Sequence, residues 1–470
     1  MIYELTMLAN TALWLVLAVL FVRHPGASIF HPLAFYLAFH FIAFVLRPPI
    51  AYYRDYDLIY RVYGFQPTLD QKVFALFVAM VGLATFAAIS LYRTRSHFEP
   101  VPDTEADRAG LGAPFVATAL VLTPIALASY IGIWAGDLAG TSTVQLDAAT
   151  GTSISVDGAN GYFYEARAML GPLSVLFAWL TRFRWWSFIP IALFVLLAAG
   201  TGGRGAFVLA IVAMGLIYLY ETRRRWPTAT MLGAVAVLAA FFTAVGDDRG
   251  SSVREWVLGD DANQARVYTR DERFLEGMDA ANLEYVEYLV WAVPERSGTY
   301  GYFLELLQFF TEPIPRKLWP DKPIGPPVRL FNLFDYGNPI GMTRTLPGQG
   351  YVDLGLGGVI VWCGLFALLW SKAYEMFATH RFGPLGRVGY MLMLALSILF
   401  YRDGGPLTMA RFGLFLLAPV IMIWGIDRIM RSKGLGDTNA ARPVSAETPR
   451  QRRERLAGEW VRSHRDQPSA

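Results

Sequence analysis

Residues 5–22 read LTMLANTALWLVLAVLFV. The stretch holds no charged side chain, and its only polar groups are Thr6, Asn10 and Thr11. A helix rises about 1.5 Å per residue, so a run of this length crosses the hydrocarbon layer of a bilayer. It has no basic flank before it and no small-residue cleavage site after it, and so predicts a retained span and not a signal peptide. The rest of the chain repeats the pattern. Of 470 residues 54% are hydrophobic and 17% charged, against about 25% charged in an ordinary soluble domain. Mean hydropathy is +0.36. This is the composition of an all-α polytopic membrane protein, and it excludes a soluble enzyme or a nucleic-acid-binding domain.

Apolar blocks predict eleven spans, near 5–22, 29–47, 71–92, 113–134, 162–181, 187–202, 205–220, 229–246, 351–371, 385–401 and 409–428. The domain plan is eight spans in 1–246, a large loop in 247–350, three spans in 351–430 and a basic tail in 431–470. The single cysteine, Cys363, lies inside a span, where it reads as a packing residue. Short connections on one side carry Arg23; Arg93 and Arg95; Arg182 and Arg184; Arg223, Arg224 and Arg225; and Lys372, Arg381 and Arg387. Basic residues in short connections stay cytoplasmic. The C-terminus is therefore expected in the cytoplasm, the N-terminus outside, and 48–70, 135–160 and 247–350 on the outer face. Residues 93–110 read as a solvated linker. The outer loop contains two segments with helical apolar spacing, DAANLEYVEYLVWAV and GYFLELLQFF, expected as helices on or dipping into the outer membrane surface.

That loop continues into TEPIPRKLWPDKP at 311–323. Pro313, Pro315, Pro320 and Pro323 each fix a backbone angle and forbid helix. They pre-organise Arg316 and Lys317, while Trp319 suits the interface or a sugar face. A second feature, GTGGRGAF at 200–207, carries Arg204 at a depth where charge is costly. Arg167, Arg344, Arg402 and Arg411 fall on the same side. Guanidinium groups grip phosphate with two prongs, so an outer arginine cluster asks for an anionic ligand at membrane depth.

TGGRG near a span end, IPRKLWPDKP in a large outer loop and YVDLGLGGVIVW opening the next span together resemble the bacterial oligosaccharide repeat-unit polymerases, the O-antigen (Wzy-type) family. The motif residues are Pro315, Arg316, Trp319, Pro320, Lys322 and Pro323. The resemblance covers about 160–415. It implies a GT-C-like, metal-independent glycosyltransferase without a cofactor, in the bacterial inner membrane among its lipids. Such an enzyme transfers a glycan from undecaprenyl pyrophosphate onto a lipid-linked repeat unit at the outer face. A chain-length regulator and a flippase of the same pathway are implied partners.

In that chemistry Arg316 and Arg204 stabilise the leaving pyrophosphate. Arg167, Lys317, Trp319, Lys322, Arg344, Asp353, Arg402 and Arg411 are candidate binding residues. The histidines are His24, His31, His40, His97, His380 and His464, and none is expected at the outer face. The base would be a carboxylate, with Glu312, Asp321, Asp353 and Asp403 nearest the basic motifs. Three other readings stay open: an O-antigen ligase, a metal-dependent enzyme using polyprenyl-phosphate sugars with Asp55 and Asp57 as ligands, and a lipid-linked glycan transporter.

Overall fold

The computed structural model describes residues 1–134, 144–146, 153–155, 163, 165–199, 205–233, 275–277, 280–311, 314, 318–319 and 343–433. Seven described helices are long and apolar enough to cross a membrane: α1 (Ile2–Val22), α2 (Pro32–Tyr53), Leu69–Arg93, Gly112–Ile131, Leu346–Ala378, Pro384–Asp403 and Met409–Ser432. Three shorter apolar helices cover Ala166–Leu180, Trp185–Ala198 and Phe207–Glu221. Ten of the eleven expected spans therefore coincide with described helices, three of them short for a crossing. Most of the eighth, 229–246, lies outside the described residues. One antiparallel pair, Val144–Leu146 with Ser153–Ser155, departs from an all-helical chain.

The second span is built around its prolines. Pro48 and Pro49 bring no N–H to the turn before them, and Phe41–Leu46 is wound as π-helix. The carbonyl of Phe44, which Pro48 cannot satisfy, accepts instead from Asn10 Nδ2 of α1 at 2.6 Å. Asn10 Oδ1 in turn meets His40 Nε2 at 3.0 Å. One polar side chain in the opening span thus repairs a proline break in its neighbour.

The helix Leu69–Arg93 packs along Leu346–Ala378. Gly82 permits this: a Cβ there would stand 2.8 Å from Pro347 Cβ and 3.2 Å from Cys363 Sγ. Cys363 is fully buried in that seam, a packing residue as expected. Leu346–Ala378 begins five residues before the expected span and is broken at Leu354 and Gly355, which have non-helical dihedrals. The break folds the first part back so closely that a Cβ on Gly350 would lie 2.6 Å from the Gly358 carbonyl.

The arginine-bearing connections interlock at one end of the bundle. Ile29 N donates to Arg225 O at 2.9 Å, and His24 Nε2 meets Leu91 O at 3.1 Å. Arg95 N and Ser96 N donate to Glu375 Oε1 at 2.7 and 3.1 Å. Arg387 pairs with Asp103, and Arg108 with Glu221. Residues 93–110 are therefore not a solvated linker. Phe98 is fully buried and stacks on Phe377, and Asp103 and Arg108 are buried ion-pair partners. Aromatic burial and charge pairing hold this segment against the bundle.

Candidate functional site

The opposite end carries the polar groups that the chemistry would need. The helix Glu305–Thr311 leads into the segment that bears the proline-rich motif, and continuous description resumes at Thr343. Arg344 Nη1 donates to Glu305 Oε2 at 2.8 Å and to Gln349 Oε1 at 3.0 Å. Gln349 Nε2 donates to the same Glu305 oxygen at 2.9 Å and to Asp353 Oδ2 at 3.2 Å. The two stems of the loop are thereby clasped on one amide side chain. Gln349 is fully buried, and Asp353 is 1% exposed.

Local sequence dictates this geometry. Thr345 caps the helix that begins at Leu346, its Oγ1 accepting from Gly348 N at 3.2 Å. Gln349 and Asp353 stand four apart on that helix and share a face. Thr345 takes a positive φ of 64°, unusual for a β-branched residue. Its N–H donates to Arg402 O at 2.9 Å. Gly404, with φ +73°, packs against the Thr345 carbonyl where no Cβ would fit. Trp362 Nε1 closes the contact on Gly404 O at 3.1 Å. The end of Pro384–Asp403 is so held against the loop's return.

Of the expected site residues, Arg344 and Asp353 are joined through Gln349, and Arg402 reaches the same segment through its backbone carbonyl, with Asp403 next to it in the chain. Arg411 pairs with Glu165 at 3.0 Å, two residues before Arg167, whose guanidinium lies 6.0 Å from the Tyr130 ring. Arg167 stands on a short 3-10 turn, Ala166–Met169. Trp319 is half-buried. Arg204, Glu312, Arg316, Lys317, Asp321 and Lys322 lie outside the described residues. Asp57 pairs with Arg61 at 3.0 Å, while Asp55 is exposed. Among the described residues no three His, Cys, Asp or Glu side chains converge as a metal site.

Sequence reasoning missed Glu305 and Gln349, which carry no motif. It also missed a buried charge cluster. The helix Asn282–Ala292, expected on or dipping into the outer membrane surface, is instead packed inside the protein, with every residue from Asn282 to Val290 buried. The correction has a physical cause: its two carboxylates find partners inside. Arg47, 1% exposed, donates from Nε to both Glu284 oxygens at 3.1 and 3.0 Å and from Nη2 to Oε1 at 2.7 Å. Tyr60 Oη donates to Glu287 Oε2 at 2.6 Å, and Lys72 Nζ sits 4.4 Å from the Tyr60 ring centroid. Burial pushes the Glu287 carboxyl above the ordinary carboxylate range; Glu284 adds to this, against the opposing pull of Lys72, Tyr60 and Arg47. The i,i+3 spacing of Glu284 and Glu287 on an otherwise apolar helix was the available signal.

Comparison with known proteins finds no matching family model, no similar curated protein and no similar solved structure.

Proposed function

We propose that this chain is a membrane glycosyltransferase that polymerises oligosaccharide repeat units carried on undecaprenyl pyrophosphate, at the outer face of the bacterial inner membrane. The observation that carries the reading is the Arg344–Glu305–Gln349 clasp. It joins the stems of the segment that bears IPRKLWPDKP, beside Arg402 and Asp403. In the reaction an acceptor hydroxyl attacks the anomeric carbon of the donor, and undecaprenyl pyrophosphate leaves with the bond electrons. Negative charge grows on the bridging oxygen, where Arg316, with Arg344 and Arg402 near its loop's base, stabilises it. A carboxylate among Asp353, Asp403, Glu312 and Asp321 takes the hydroxyl proton.

The test is the glycan ladder of a strain lacking the protein. A single repeat unit where the parent makes many is the expected result. Free polymer accumulating without its final carrier would make it a ligase instead, and loss of the outer glycan with substrate held on the inner leaflet a transporter. In purified enzyme, Arg316→Lys should lose much of the turnover and Arg316→Ala nearly all, because lysine keeps the charge but not the planar fork. Chelator-treated enzyme is expected to retain activity. Strict dependence on added Mg²⁺ would point to the polyprenyl-phosphate-sugar reading and to Asp55 and Asp57.

A further inference from the structure

The Gln349 side chain is fully buried, and each bond it makes is internal. Its Oε1 accepts from Arg344, and Nε2 gives one hydrogen to Glu305 and the other to Asp353. One acceptor facing a guanidinium and two donors facing carboxylates are what an amide supplies. Glutamate would turn a lone pair toward two carboxylates. Methionine, of similar length, would leave all three neighbours without these bonds.

The backbone beneath Gln349 is fixed as well. Thr345 caps the helix start and donates its N–H to Arg402 O. Gly348 packs so closely that a Cβ there would stand 3.0 Å from Leu289 Cδ1 of the buried helix. Arg344 belongs instead to the loop's return, just before the helix, where an unheld arginine would range over many rotamers. Two bonds at Nη1 remove that freedom. Both Nη1 hydrogens lie in the guanidinium plane, so two separate acceptors, Glu305 Oε2 at 2.8 Å and Gln349 Oε1 at 3.0 Å, set that plane and its direction. Among the described residues Nε and Nη2 have no acceptor, and the Arg344 side chain is 29% exposed. Nε and Nη2 form a two-pronged edge of arginine, the edge by which Arg47 grips Glu284 in this same molecule.

We infer that Gln349 is a positioning residue: with Glu305 it holds Arg344 by Nη1, so that the Nε–Nη2 edge is preset for two oxygens of a phosphate group. The inference rests on the proposed reaction, in which that group is the departing pyrophosphate. Charge grows there as the glycosidic bond breaks, and a donor already aimed at it needs no reorganisation at that moment. Pairing with Glu305 leaves the edge open, because a guanidinium has five N–H donors and Nη1 supplies only two. Gln349, being fully buried, acts only through Arg344.

The test is a double-variant cycle on the full-length protein in detergent, with lipid-linked repeat unit extracted from a strain that lacks the protein. Turnover and half-saturation are measured for the parent, Gln349→Met, Arg344→Lys and the two combined. Gln349→Met should lower turnover by up to roughly 100-fold, the effect of a misplaced catalytic group, with little change in half-saturation. The combined variant should be no slower than Arg344→Lys alone, because lysine has no planar fork left to aim. Glu305→Gln should lose less than Glu305→Ala, since an amide oxygen accepts both bonds that Glu305 Oε2 accepts now. Glu305 is the less buried partner, and Glu305→Ala replaces Gln349→Met in the cycle if the methionine variant does not fold. Losses that multiply in the combined variant, or a Gln349→Met enzyme with unchanged turnover, would overturn the inference and leave the polymerase reading intact. A parent that builds no polymer overturns both.

Discussion

Arg47 shows how much one side chain decides. It sits just after a π-helical turn that Pro48 and Pro49 impose, and that turn aims it inward at Glu284. A buried charge left alone is far costlier than a buried pair. Glu284→Ala should therefore destabilise the protein by about 3–5 kcal/mol, whereas Arg47→Leu with Glu284→Leu should recover most of that loss. Unfolding in mixed micelles, run on both variants, checks this; a double variant no better than the single one would refute the pairing account. Glu287 gives a pH signature with a definite sign. Its folded carboxyl binds a proton more tightly than the unfolded one, so the folded state holds more protons. Its contribution is complete below the unfolded value of about 4.3 and is lost as pH rises through the folded value. Stability should fall across that window, and Glu287→Gln should flatten the fall. An unchanged pH profile in the variant would assign the titration elsewhere.

At the scale of elements, the decisive feature is the broken helix Leu346–Ala378. Its apolar length was legible, but the return of Gly350 onto Gly358 was not, because it depends on dihedrals at Leu354 and Gly355 that many sequences avoid. A methyl at Gly358 would strike the Gly350 carbonyl, which is backbone and cannot swing aside. Gly358→Ala should cost about 1–3 kcal/mol through overpacking. The neighbouring Gly357 is exposed, and a Cβ there would find nothing nearer than Leu354 Cδ2 at 4.0 Å. Gly357→Ala should be neutral or stabilise by up to about 1 kcal/mol, as alanine does for glycine within a helix. Thermal unfolding of the two variants side by side decides; equal effects would mean that the fold-back is not required. Gln349 and Asp353 both lie on the folded-back segment that packs against the loop stems, so Gly358→Ala should also lower activity more than its stability loss explains.

For the whole molecule, the two ends make a topological prediction. Every described arginine-rich connection gathers at one end, while Arg47, Glu284, Arg344 and Arg402 lie at the other. With Cys363 replaced by alanine, a cysteine at Tyr53 should react with an impermeant thiol reagent from outside, and one at Glu99 only after lysis. Both positions are well exposed. The reverse pattern would invert the membrane orientation and remove the proposed reaction from the outer face. The sequence alone determined the class of molecule, most of the spans and the sorting of basic connections. Hydrocarbon selects for unbroken apolar length, and that property is local and additive along the chain. Its motifs also nominated Arg344, Asp353 and Arg402. Only the tertiary structure decided that residues 93–110 pack against the bundle, that Asn282–Ala292 is buried, and that Glu305 and Gln349 clasp the loop. Each of those outcomes depends on a charge finding its partner across a long stretch of chain: Asp103 with Arg387, Glu284 with Arg47, Glu305 with Arg344. Pairing at such separation leaves no periodicity in the sequence, because what fixes it is the geometry of the assembled bundle.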